Sequence, residues 1–167
     1  LPERIVNGAS LGVGDFKLPN DLYIAKDGTV YILDGGNNRI IVTDANWNLV
    51  RIIEGFDNNG TRDGFGNPNG IFVSDNGKIY IADTDRRRVV VLDGDGSLVK
   101  IVENPQSEVL PDNFEFVPLK VTADRAERIF VVARGVYEGI MQFNDTGEFL
   151  GYVGTIKVQP SLADRIW

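Results

Sequence analysis

Asp34 with Arg39 and Asp83 with Arg88 are the residues of this 167-residue chain best placed to do chemistry, because the same acid and base recur at the same spacing. An Asp and an Arg on either side of a short loop can form a charge-assisted hydrogen bond, and a pair that recurs reads as scaffold rather than catalysis. Arg86 and Arg87 do not recur, since Asn37 and Asn38 hold the matching places. Together with Arg134 and Tyr137, these four are the candidate binding residues. The cations and the ring would form a patch suited to a carboxylate, a phosphate or a sugar. Asp93-Gly-Asp-Gly-Ser97 alternates oxygen donors, but a calcium loop of the EF-hand kind needs Gly sixth and Glu twelfth, where Leu98 and Asn104 stand. It is therefore read as a hairpin. Asp57-Asn-Asn-Gly-Thr-Arg-Asp63 is the better oxygen cluster and the one place where calcium is weighed; the expectation is no metal and no cofactor.

The absences narrow the chemistry further. The chain has no His and no Cys, so Ser-His-Asp and Cys-His catalysis, His-liganded zinc, thiolate nucleophiles and disulfides all lie outside it. Its 24 acidic and 17 basic residues leave a net charge of −7. That balance argues against a nucleic-acid partner, whose phosphates call for clustered cations. Apolar residues make up 43% of the chain, a globular composition, and no run of them is long enough to cross a bilayer. The segment is expected to make no membrane contact.

What must position these residues is a repeat. Asp27-Gly-Thr-Val-Tyr-Ile-Leu-Asp-Gly-Gly-Asn-Asn-Arg-Ile-Ile-Val-Thr-Asp44 aligns without a gap on Asn76-Gly-Lys-Ile-Tyr-Ile-Ala-Asp-Thr-Asp-Arg-Arg-Arg-Val-Val-Val-Leu-Asp93, 49 residues on. A degenerate third copy runs from Arg125 to Asn144. Each unit divides into four short Ile-, Val-, Tyr- and Phe-rich strands, a to d. In the second unit they span 70–74, 78–82, 88–92 and 98–102. Asp-Gly and Asn-Gly at 27–28 and 76–77 supply the tight a–b turns. Nothing reads as a long amphipathic helix. Arg4-Ile-Val-Asn-Gly8 resembles the d strand of the later units, so the chain is read as a d strand over 3–8, then blades over 18–54, 67–104 and 117–155, then a tail. Four antiparallel strands every 40 to 50 residues mark a propeller blade.

The units at 19–42 and 68–91 resemble the NHL-repeat family: a Pro-x-Gly-Ile start, an Asp/Asn-Gly hairpin, an Ile-Tyr-Ile-Ala-Asp strand, and an Asn-x-Arg-Ile/Val strand. Gly60-Thr-Arg-Asp-Gly-Phe-Gly66 is similar to the linker this family places before its Pro. The third unit departs from the pattern, with Ala133 in place of the Asp and Glu138 or Gly139 in place of the Arg. The resemblance implies an all-β fold, an incomplete NHL-type β-propeller that belongs to a longer one. It also implies that the b–c loops and d–a connections share one face, where ligands usually bind. Tyr31, Phe72, Tyr80, Phe130 and Phe143 should pack between blades.

The family's usual six blades exceed what this length holds, so an open arc would leave a bare sheet face at each end. A longer chain, a homodimer joined through the open faces, or the tail over 156–167 would cover them. Ser161 there precedes Leu162, Ala163, Ile166 and Trp167 in a helix-like pattern. The functional reading is a non-catalytic binding or scaffold module for a protein, a small molecule or a glycan, in a bacterial and extracytoplasmic setting. The alternative is part of a six-bladed hydrolase or lactonase with an oxygen-liganded metal in the central channel. Asn20, Asp21, Asn69 and Lys120, near the a-strand starts, are its candidate lining.

Overall fold

The computed structural model describes residues 2–154. A short helix, α1 (Gly8–Leu11), opens the chain, and fourteen strands follow among the described residues. The first sheet holds β1 (Pro19–Ile24), β2 (Val30–Asp34), β3 (Arg39–Thr43) and β4 (Leu49–Ile53). A two-stranded hairpin, β5 (Phe56–Asn58) and β6 (Thr61–Asp63), leads to the second sheet. That sheet contains β7 (Gly70–Val73), β8 (Ile79–Asp83), β9 (Arg88–Leu92) and β10 (Leu98–Glu103), and the third contains β11 (Pro118–Ala123), β12 (Ile129–Ala133), β13 (Ile140–Phe143) and β14 (Phe149–Val153). Every four-stranded sheet is an antiparallel meander in chain order.

β-Branched side chains favour the pleated surface, and turn chemistry cuts it into short strands. Gly28 and Gly77 take φ of 86° and 85° at the a–b turns, a conformation that costs glycine little. The innermost strands lie side by side, β7 between β1 and β11. The sheets therefore radiate from a common axis as three propeller blades.

The core sits between the blades. Leu33, Ile40, Val42 and Ile53 of blade 1 meet Ile71, Ile79, Ile81 and Val90 of blade 2, joined by Phe56 and Phe65 of the linker. Tyr80, Val89, Val91 and Val102 meet Val121, Ile129, Val131 and Met141 of blade 3, joined by Leu110 and Phe116. Alternation does this work: adjacent residues of β8 and β9 face opposite neighbours, so both strands are buried throughout.

Three expectations are corrected. No strand forms over residues 3–7: a d strand needs a c strand to bond with, and without one the segment closes into α1, capped reciprocally by Asn7 and Ser10. The face of blade 1 is also not bare, because Leu11 packs on Val30, Ile32 and Ile41, with Val6, Val13 and Phe16 beside them. Phe130 does not pack between blades; its alternate position puts it on the outer face of blade 3, with the Arg128 guanidinium 6.0 Å from its ring centre. The helical turn read for residues 156–167 lies outside the described residues.

Candidate functional site

The recurring Asp–Arg pairs form, and they hold more than the b–c loop. Asp34, at the end of β2 and fully buried, accepts from Arg39 Nε at 2.8 Å, from Asn37 Nδ2 at 2.9 Å and from the Lys17 backbone N–H at 2.7 Å. Arg39 Nη1 donates onward to the Val13 carbonyl at 2.8 Å. In blade 2, Asp83 accepts from Arg88 Nε at 2.9 Å and from the Gly66 N–H at 2.7 Å. Each clamp ties strands b and c to the linker that enters the same blade.

Blade 2 adds a second carboxylate. Arg88 Nη1 and Nη2 fork onto Asp63 at 2.8 and 3.0 Å, and Nη2 also donates to the Gly64 carbonyl at 2.7 Å. The Arg88 hydrogen bonds hold the Asp63 carboxyl well below the usual carboxylate range, with help from Asn58 and the Gly64 N–H against the opposing effect of burial. Burial pushes the Asp83 carboxyl up, with the Gly66 N–H and Arg88 pulling against it. Asp63, read in the sequence as one of a cluster of metal-type oxygens, thus serves the scaffold. Asp93–Ser97 is a hairpin turn, closed by Asp93 N–H to Ser97 O at 2.8 Å.

The candidate binding residues separate into two groups. Arg86 lies 3.0 Å from Asp63, and Arg87 lies 3.3 Å from Glu115, so both cations face carboxylates. Asn37 binds Asp34, and Asn38 Oδ1 accepts from the Asn67 N–H at 2.7 Å. These four residues stitch loops together. Arg134 and Tyr137 lie in the third b–c loop, which has no clamp because Ala133 stands at the Asp position. Tyr137 is 93% exposed.

At the axis, the a-strand starts converge. Register places Asp21 opposite Leu33, Gly70 opposite Ala82 and Lys120 opposite Val132, one equivalent position in three blades. Bulges after Pro19 and Pro118 set the Asp and the Lys there. A Cβ on Gly70 would lie 2.7 Å from the Leu119 carbonyl and 2.9 Å from Lys120 Cα, so glycine lets blade 3 close in. Lys120 Nζ donates to the Asn69 carbonyl at 2.7 Å and the Asn20 carbonyl at 3.4 Å, and lies 3.5 Å from the Asp21 carboxylate. Asp21 itself accepts from the Ile71 N–H at 3.0 Å. These residues do not fit a channel metal: the ammonium already engages the oxygens a cation would need. Asn20 and Asn69 turn their amides to the neighbouring blade instead, Asn20 directly to the Pro68 carbonyl at 3.1 Å and Asn69 to Thr84 Oγ1 at 2.9 Å. Sequence reasoning had these four residues near the axis but missed that one of them is itself the cation.

Radial four-stranded sheets joined through apolar faces, with clamped loops on one rim, define a β-propeller architecture. The family model for the NHL repeat matches residues 65–92, the stretch from Phe65 to the last residue of β9. No curated protein matches the chain. Among solved structures, hydrazine synthase of Kuenenia stuttgartiensis is similar at a TM-score of 0.59 and 15% identity, over 93% of this chain and 40% of that one. A putative exported protein of Bacteroides fragilis gives 0.56 and 14%, over 81% and 37%. A catalytically inactive virginiamycin B lyase of Staphylococcus aureus, with quinupristin, gives 0.51 and 17%, over 77% and 39%. This chain spans about two-fifths of the length of each.

Proposed function

We propose that this chain is a binding and scaffold module that recognises its ligand through the third b–c loop, residues 134–138, and performs no bond chemistry of its own. The contrast among the three loops carries the reading. In blades 1 and 2 the loop side chains are engaged by Asp34, Asp63, Glu115 and Asn67. In blade 3 a cation and a fully presented phenol face solvent. A tyrosine ring offers rigid contact area at little conformational cost and stacks on sugar rings or apolar side chains, while an adjacent guanidinium selects an anionic group.

The test is binding of the immobilised chain to panels of neutral and acidic oligosaccharides and of peptides. Tyr137→Ala and Arg134→Ala should each weaken the captured ligand by about tenfold or more with an unchanged thermal midpoint. Arg86→Ala and Arg87→Ala should leave it bound. Capture indifferent to Tyr137→Ala would sink the proposal. A calcium titration completes the test: saturable heat abolished by Asp21→Asn would restore a channel metal.

A further inference from the structure

The two outward faces of the arc are the two halves of one joint. Inside the molecule the blade 1 to blade 2 joint has a receiving side on β7, where Ile71 and Val73 are 4% and 3% exposed. The equivalent residues of β1, 49 positions earlier, are Leu22 and Ile24. Register confirms the match: Leu22 lies opposite Ile32 and Ile24 opposite Val30, as Ile71 lies opposite Ile81 and Val73 opposite Ile79. Yet Leu22 and Ile24 are 52% and 58% exposed.

The offering side runs the other way. Leu33 and Ile40 of blade 1, and Ala82 and Val89 of blade 2, pack into the next blade and are wholly buried. Their equivalents in blade 3, Val132 and Ile140, are 46% and 39% exposed.

The linker completes the comparison. Both internal joints contain apolar residues from the preceding connection, Phe56 and Phe65 in one, Leu110 and Phe116 in the other. At blade 1 the same contribution is present, with Leu11 buried and Phe16 beside it, Phe16 standing 49 residues before Phe65. Blade 1 therefore carries a joint with the linker seated and the neighbouring blade's strip open.

We propose that a second copy of this chain fills it, blade 3 of one copy packing on blade 1 of the other. Both complementary strips stand on the same chain, so two copies meeting head to tail repeat a contact that the molecule already makes twice internally. Leu22 and Ile24 take the place of Ile71 and Val73, and Val132 and Ile140 take the place of Leu33 and Ile40. Such a contact is heterologous. It closes a ring of copies where the rotation allows and otherwise extends.

Sedimentation velocity on the chain up to roughly 100 μM, a weak but measurable affinity, tests this directly. The expected result is a species of twice the chain mass or more that grows with concentration. Leu22→Glu with Ile24→Glu, and separately Val132→Glu with Ile140→Glu, change exposed residues and should keep the fold by circular dichroism while weakening association about tenfold or more. Mixing the two variants should bring association back, because each supplies the strip the other has lost. A chain that stays monomeric throughout, as a joint reserved for a further blade of a longer polypeptide would require, overturns the proposal. So does loss confined to one variant, which marks a symmetric contact, and so does a mixture that fails to recover. The readout is independent of the loop that carries the binding proposal.

Discussion

Arg88 shows how one side chain sets the tolerance of this molecule to acid. Its guanidinium is shared between Asp83 on its own blade and Asp63 on the incoming hairpin, whereas Arg39 has a single carboxylate and completes its bonding on backbone carbonyls. A carboxyl held below its ordinary value near 3.8 binds its proton less readily folded than unfolded. The stability it contributes is fully present above that value and is lost as pH falls through the lower folded one. Asp63→Asn removes the titration and weakens the fork, so at pH 7 the variant should be less stable by about 2 kcal/mol. Urea unfolding at pH 7 and again near pH 3 should show that gap narrowing as wild-type Asp63 takes up its proton. A gap of constant size would mean that Asp63 acts by shape rather than charge.

At the scale of the element, one small residue decides how blades are stitched. Gly35 and Thr84 occupy the same place in successive b–c loops. In the first, a Cβ would lie 2.4 Å from Asn20 Nδ2 and 2.6 Å from the Pro68 carbonyl, so glycine clears the path for the direct bond. In the second, the buried Thr84 hydroxyl relays, accepting from Asn69 and donating to the Pro118 carbonyl at 2.8 Å. Thr84→Ala should cost about 1–3 kcal/mol because it strands a buried donor and acceptor, and Thr84→Ser should recover most of it. Gly35→Ala should cost a similar 1–3 kcal/mol through overpacking. Urea midpoints would check all three, and a Ser variant as weak as the Ala variant would show that the methyl, not the relay, matters. The strands and the Asp–Arg spacing were legible in the sequence because period-two patterning and loop length fix both locally. The Asn59-Gly60 signal for the β5–β6 hairpin was legible too, but it went unread inside a segment taken as loop; both residues adopt positive φ there. The relay, the Asp63 fork and the Lys120 seat were not legible, since each joins residues whose contact exists only once blades are stacked. The d-strand reading of residues 3–8 failed for the complementary reason, that a strand motif without a partner strand has no ladder to join.

Across the whole molecule, stability should follow the number of joints a blade makes, because stacked repeats add intrinsic terms and neighbour terms. Blade 2 has two joints, a doubly anchored clamp, and strands β8 and β9 buried along their length. Blade 1 has one joint, one clamp and the cover supplied by Leu11 and Phe16. Blade 3 has one joint, no clamp at Ala133, and an outer face carrying Val132 and Ile140. Amide hydrogen exchange should therefore be fastest in β13 and β14, intermediate in β2 and β3, and slowest in β8 and β9. If the missing clamp and joint together cost about 2 kcal/mol, the first and last should differ roughly thirtyfold. Uniform protection across the three sheets would mean that the blades open as one cooperative unit and that the clamps contribute equally to all of them. Concentration supplies the decisive control. A head-to-tail joint adds a neighbour to blade 3 and to β1 while leaving blade 2 as it was, so raising the protein concentration should slow exchange in β12, β13 and β1 and leave β8 and β9 unchanged.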